Sequence, residues 1–371
     1  AKILKKKKLR IGFDPKLHTQ KNLKLLFSKT NCRLEAINEN LIDRLWKKKN
    51  IKILDKVYAL PKKAVGQSYK IKINNLIKTL KKKKIDLQFI SASENIAWLL
   101  NIRGHDSEFT PIPNTYLSVG NDKKINLFCD LKKISTSFKK KLKQIKIIDI
   151  KKINIFLSKI KNKKILIDSS TCSIYFENIL KKNNKIIEFF DPIYLFKAIK
   201  SKIEIQNTIK SHIYDGVALT RFLIWIKKNF KSKSINEISA QEKLLKFRKK
   251  NKTFYSPSFP TISGTGPNGA IIHYKADKKS NRLLEKGDVY LVDSGGQYLH
   301  GTTDVTRTLS LGVENLKIKE IFTRVLKGHI AVASYELSQD SDGDKIDRVA
   351  RKPLRDINLD YPHGTGHGVG Y

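Results

Sequence analysis

Methionine is absent from all 371 residues, and nothing in the residues themselves accounts for it. Cysteine is scarce. Cys32, Cys129 and Cys172 are odd in number, far apart and never in a CxxC pair. That pattern excludes a disulfide framework, gives no thiolate zinc site, and leads us to expect a reducing, cytoplasmic setting. Long apolar runs are missing too: the longest, such as Ile96–Leu100 and Phe222–Ile226, reach five residues. A membrane-spanning helix needs about 20, so no membrane role is expected. Arginine supplies only 12 of the 75 basic residues. Lysine runs such as Lys5–Lys8, Lys81–Lys84 and Lys139–Lys141 lack the bidentate arginine fork and the interleaved aromatic rings that phosphate and base recognition use. The net charge of +41 therefore reads as solvated surface, and no specific nucleic-acid partner is expected.

What is present is enough apolar residue, 40%, for more than one buried core, and enough chain for two or three domains. The charge is unevenly spread. From Ser256 to Tyr371 there are 15 basic and 14 acidic residues, a net of +1, so +40 falls on residues 1–255. Short strand and helix patterns alternate from Leu9 to about Lys63: RIGFD, a helix around Lys21–Ser28, RLEAI, and Asn40–Trp46. Pro61 and Gly66 punctuate this unit. Ser68 then reads as the N-cap of a helix carrying Ile73, Leu76, Ile77 and Leu80 on one face. A second α/β unit continues through IDLQFIS, the helix ENIAWLLN, a hairpin-like pair YLSVG and INLFCD, KILIDSS, a helix near Ser173–Leu180, and KIIEFF. Asp191-Pro192 leads out of it. The third unit opens on a helix near Glu204–Phe230, whose expected apolar stripe is Ile205, Ile209, Ile213, Val217, Phe222 and Ile226. Ser239 and Glu242 suggest a capping box for the next helix. Strand patterns follow at DVYLVDSG and TTDVTRTLSLG, then an amphipathic helix near Lys317–Tyr335 carrying Ile318, Phe322, Val325, Leu326 and Ile330. The expected domains are 1–65, 66–198 and 199–371, in an α/β (α+β) chain.

Candidate chemistry collects in the charge-balanced third. Asp293 and Asp304 lie near the facing ends of two strand patterns joined by SGGQYLHGT. If those strands form a hairpin, period-two alternation lets both carboxylates enter one cleft; each alone reads as an ordinary turn-flanking acid. His273, His363 and His367 fall in Gly-rich or Pro-flanked neighbourhoods of the same unit, where chain and ligand can approach closely. Carboxylates with imidazole make a hard site that suits manganese or a similar divalent ion more than structural zinc.

The strings FPTISGTGPNGAIIHY (259–274), LVDSGGQYLHGTTDVTRT (291–308) and HGTGHGVG (363–370) resemble those of aminopeptidase P, the Xaa-Pro aminopeptidases of the creatinase/methionine-aminopeptidase, or pita-bread, metallopeptidase family. SASENIAWLLNIRG (91–104) resembles the second domain of the three-domain enzymes, and KLRIGFDP with ENLIDRLW the end of their first. The resemblance implies creatinase-like α/β N-terminal domains followed by a pita-bread catalytic domain. It implies hydrolysis of the bond between an N-terminal residue and a following proline by a hydroxide bridging two divalent ions, of manganese type. By the same resemblance Asp293 and His367 each ligate one ion, Asp304 bridges both, and His273 and His363 line the site, binding substrate and the developing oxyanion. Partners would be peptides with proline at the second position, and the full-length enzyme a homodimer. The family supplies two further glutamate ligands downstream of HGTGHG. With Tyr371 the last residue, the chain is expected to be a fragment truncated at both ends, with an incomplete catalytic domain and no activity by itself. The alternatives are a prolidase-like dipeptidase, a pita-bread peptide-binding scaffold without catalysis, and a basic nucleic-acid binder.

Overall fold

Short apolar stretches of four or five residues, bounded by polar turns, set the strands of the first half. The computed structural model describes residues 8–46, 55–232, 234–312 and 315–370, and the chain divides into two compact units, 1–206 and 207–371. Lys5–Lys7 of the opening basic run, residues 47–54 of the expected first domain, and Tyr371 lie outside the described residues.

In the first unit, Arg10–Phe13 and Arg33–Ala36 pair in parallel. The intervening helix Gln20–Phe27 starts at Thr19, whose hydroxyl accepts from the Asn22 amide. The larger sheet has six strands in the order Lys185–Glu188, Lys164–Ile167, Leu87–Ile90, Tyr116–Gly120, Ile125–Cys129 and Lys146–Asp149. YLSVG and INLFC pair antiparallel, as the hairpin reading predicts. Phe89, Phe128, Ile165 and Ile167 from the strands close with Leu157 and Leu180 from helices into a core. Ser68 caps the helix Tyr69–Lys82, and Ile73, Leu76, Ile77 and Leu80 are its buried face. Among the described residues no helix is long and apolar enough to cross a membrane.

The second unit packs helices on small antiparallel sheets, and here some expectations fail. In the helix Lys202–Asn229 the apolar buried residues are Ala218, Leu219, Phe222 and Ile226, whereas Ile205, Ile209, Ile213 and Val217 are exposed. Steps of four residues overshoot a 3.6-residue turn, so the stripe drifts around the helix. Ser211 and Asp215 take the buried positions instead, Asp215 because it meets the buried Arg248. The following helix is Glu237–Arg248, and its cap is Asn236, not Ser239. The Asn236 side chain accepts from the Ser239 amide while the Ser239 hydroxyl accepts from the Asn236 amide. The expected stripe on Leu316–Ala333 is likewise exposed at Phe322, Val325, Leu326 and Ile330. That helix packs through Gly328 on Gly343–Arg355, a helix the sequence reading missed. A Cβ on Gly328 would lie 2.3 Å from the Ala350 carbonyl oxygen, so only glycine allows this approach.

Three strands matter for the site. Val289–Ser294 is central between Ile262–Thr265 and Val305–Ser310, both antiparallel to it. Tyr290, Val292 and Leu311 join Phe222, Ile226 and Leu244 in the core beneath. Between the two outgoing strands a minor hairpin, Gly296–Tyr298 with Gly301–Thr302, pairs with Phe254–Pro257. The crossing at Gly295 is tight: a Cβ there would sit 1.9 Å from the Thr303 carbonyl oxygen.

Candidate active site

Period-two alternation along Val289–Ser294 buries Tyr290, Val292 and Ser294 and turns Leu291 and Asp293 to the other face. Asp293 lies opposite Ile262 on one side and Thr306 on the other. Asp304 immediately precedes the Val305–Ser310 strand. The two carboxylates thus reach one cavity of about 500 Å³, which His273 and His367 also line. Phe259, Pro260, Ile262 and Val369 give it an apolar wall.

His367 Nε2 is 3.2 Å from Asp304 Oδ2, and its Nδ1 lies 3.1 Å from the Gly368 carbonyl oxygen. Asp293 is half-buried, and its Oδ1, closed off from solvent, has no hydrogen-bond partner among the described residues. Burial pushes the Asp293 carboxyl above the usual aspartate range; Thr306 opposes this by hydrogen bonding, Asp304 adds like-charge repulsion, and His273 and His367 pull the other way. His273 stands at φ 55°, in the left-handed region, a conformation that costs a side-chain-bearing residue about 1–2 kcal/mol. Strain of this kind persists where surrounding structure enforces it.

A divalent ion fits this donor set. The sealed Asp293 oxygen and the Asp304 carboxylate lining the same cavity are hard anionic donors, and the His367 imidazole 3.2 Å from Asp304 adds a borderline nitrogen donor. Among the described residues, however, no three His, Cys, Asp or Glu side chains are gathered closely enough to hold a metal ion, so Asp293, Asp304 and His367 share the cavity without forming a closed ligand set.

The raised Asp293 pKa has a consequence for stability. An acid whose folded pKa lies above its unfolded value destabilises the fold wherever it is ionised, and the penalty disappears as pH falls through the folded pKa. Asp293→Asn should therefore raise the melting temperature of metal-free protein at neutral pH, with the gain shrinking to nothing under acid. Melting curves across pH check this; an unchanged or lower neutral-pH melting temperature would contradict the strained-carboxylate reading.

His363 is placed differently from the expectation that it lines the cavity: it is exposed and is not among the lining residues. Its ring stacks on Tyr361, with centroids 4.7 Å apart, and its Nδ1 is 2.8 Å from the Gly364 carbonyl oxygen. Arg351 organises this stretch. It donates to the carbonyls of Tyr361 (2.6 Å) and His363 (2.7 Å) and pairs with Asp347 and Asp360. Its guanidinium lies 4.0 Å from the Tyr361 ring centre. Hydrogen bonds from Arg351 and Arg355 hold the Asp360 carboxyl down at about 2.

Sequence reasoning missed Arg351, and it missed Glu237, whose fully buried carboxyl gathers the loop that carries His273. Neither lies in a motif. The only signal was the type itself, an Arg and a Glu on helices whose burial reveals itself in three dimensions.

An α/β unit followed by a unit in which a central antiparallel strand and the loops beside it bring two carboxylates and two imidazoles to one cavity defines a chain of the creatinase type with a pita-bread second half. Residues 49–204 match the creatinase/prolidase N-terminal domain, and residues 206–371 match metallopeptidase family M24. The chain thus carries a creatinase/prolidase N-terminal domain followed by a metallopeptidase family M24 domain. It is 39% identical to a Drosophila melanogaster Xaa-Pro aminopeptidase over 96% of this chain and 59% of that protein. It is 38% identical to Xaa-Pro aminopeptidase 1 of Dictyostelium discoideum over 98% of this chain and 60% of the relative. The structure superimposes on the X-prolyl aminopeptidase of Caenorhabditis elegans, described as a cytosolic enzyme with a di-nuclear active site. The TM-score is 0.90 at 30% identity, covering 98% of this chain and 61% of that one. The prolidase of Pyrococcus furiosus shares the fold, with a TM-score of 0.62 at 23% identity over 79% of this chain and 82% of that one. The chain spans about 60% of the length of the Xaa-Pro aminopeptidases it matches.

Proposed function

We propose that the protein is a metal-dependent Xaa-Pro aminopeptidase that releases an N-terminal residue from peptides with proline in second position, using two divalent ions of manganese type. The observation that carries this reading is the single cavity in which the unpartnered Asp293 oxygen, Asp304, and His367 touching Asp304 come together. The similarity to Xaa-Pro aminopeptidases over nearly the whole chain supports it. We also read the chain as a first domain to residue 65, a second over 66–198 and a catalytic domain from 199, in a cytosolic homodimer.

Asp293, Asp304 and His367 would hold the ions. When bound, divalent cations supply electrophilic pull on the scissile carbonyl and lower the pKa of the attacking water. The chain's own groups do the rest. His273, aimed into the cavity, donates a hydrogen bond to the carbonyl oxygen as negative charge grows on it. Phe259, Pro260, Ile262 and Val369 exclude water and give a ring an apolar surface. Proline's amide nitrogen carries no proton after the scissile bond, so a wall without acceptors loses nothing there.

The test is hydrolysis of a peptide with proline at its second position in the presence of manganese, beside the same peptide with alanine there. Release of the first residue from the proline peptide alone, abolished by a chelator, is expected. Metal-replete protein that leaves the proline peptide intact would refute the assignment.

A further inference from the structure

His273 faces the cavity from a turn closed by the Tyr274 amide donating to the Ile271 carbonyl at 3.2 Å, and the left-handed His273 backbone needs something to hold it. The neighbouring Tyr274 is that hold. Tyr274 is itself among the residues lining the cavity, and its hydroxyl donates to Glu237 Oε2 at 2.7 Å, with the Ser280 carbonyl and hydroxyl oxygens farther off at 3.1 Å. Asn268 Nδ2 donates to the same hydroxyl at 2.8 Å and to Glu237 Oε1 at 3.0 Å. Glu237 also accepts from the amides of Thr265 (2.8 Å) and Arg282 (3.1 Å). One carboxyl at the start of a core helix therefore fastens both ends and the middle of the 265–282 segment, which after the strand end at Thr265 has no regular element beyond the single 3-10 turn Gly266–Ala270. Its exposure is 0%, and four facing donors are what make such a burial tolerable.

We propose that Glu237 is a positioning residue for His273, acting through the Tyr274 hydroxyl to keep the imidazole at the cavity; its catalytic consequence rests on the aminopeptidase reading above. The alternative is that Glu237 merely stabilises the fold. Geometry distinguishes the two, because Tyr274→Phe removes one hydroxyl, keeps the ring, and leaves Glu237 its other three donors.

The experiment compares wild type, Tyr274→Phe, Glu237→Gln, His273→Ala and the Tyr274→Phe/His273→Ala double variant in the metal-loaded native enzyme. A displaced catalytic group of this kind costs on the order of ten- to a hundredfold. Tyr274→Phe should lower kcat by that factor with KM little changed and metal content intact, and should cost nothing further once His273 is already alanine. An additive loss in the double variant would overturn the proposal, as would an unchanged kcat. A second readout needs no activity: the histidine side-chain resonances of Tyr274→Phe should show His273 moved while His212 and His329 stay in place. Unmoved His273 resonances would overturn the positioning role. If wild type cleaves no proline peptide, the functional reading fails by itself, and the resonances still decide this one. Glu237→Gln sets an amide donor among donors and should behave as the more severe variant; should it not fold, Tyr274→Phe carries the test.

Discussion

Asp304→Asn in the native enzyme is expected to lower kcat/KM for a proline-second peptide by about a thousandfold or more while leaving the folded structure in place. Asp304 sits just ahead of the Val305–Ser310 strand, its side chain 26% exposed and 3.2 Å from His367 Nε2. Asparagine preserves shape and one acceptor oxygen but removes a full negative charge from the cavity. If that charge secures cations worth several kcal/mol of transition-state stabilisation, then at about 1.4 kcal/mol per decade the loss is three powers of ten or more. The fold should not follow, because the partner Asp304 loses is the exposed His367 ring and its neighbour Asp293 is relieved of like-charge repulsion. Steady-state kinetics, metal analysis and melting temperature on the same preparation make the test. Near-wild-type turnover with unchanged metal content would remove Asp304 from the metal site and with it the proposed mechanism.

How much of this could be read from the residues depended on range. The central strand was legible because Tyr290, Val292 and Ser294 alternate with Leu291 and Asp293, a local pattern that also implied a common cavity for Asp293 and Asp304. The Ser68-capped helix was legible for the same reason. The helix Gly343–Arg355 was not, since Gly343 and Pro353 read as breakers, although Ala350 and Leu354 do form a buried edge. Nor was the cap at Asn236, where two residues of capping type lie three apart and only the backbone decides between them. The exposed Ile209, Ile213 and Val217 show the limit of counting by fours: a polar residue with a distant partner, Asp215, outbid them for the interior. Glu237 joins Thr265, Tyr274 and Arg282 across 28 to 45 residues, a separation at which composition and spacing carry no signal. His363 shows the converse, a motif residue whose local contacts with Tyr361 and Arg351 turned it away from where its string suggested.

The largest stability effect is expected at Asp215. Its carboxylate accepts a bidentate fork from Arg248, Nε to Oδ1 at 2.7 Å and Nη2 to Oδ2 at 3.0 Å, and a third bond from the Tyr298 hydroxyl at 2.7 Å. Arg248 donates once more, to the hydroxyl of Ser294, next to Asp293. Both charged side chains are sealed from water, with exposures of 1% and 2%. Burial and the nearby carboxylate push the Tyr298 phenol upward, so it stays a donor at all ordinary pH. Asp215→Ala would strand the guanidinium without a counter-charge, and breaking a buried pair in this way costs about 3–5 kcal/mol. That is a large share of the roughly 5–15 kcal/mol that holds a domain together. Urea unfolding should show the midpoint falling steeply with the slope preserved. The double replacement Asp215→Leu/Arg248→Met should recover much of the loss, since an apolar pair leaves no charge unpaired; the Tyr298 hydroxyl, left without its acceptor, sets a residual deficit of about 1–3 kcal/mol. A single Asp215→Ala variant losing less than about 1 kcal/mol would match an exposed pair and would mean that water reaches Arg248. In that case the link from Arg248 through Ser294 to the Asp293 strand could not be the rigid support that the buried geometry describes.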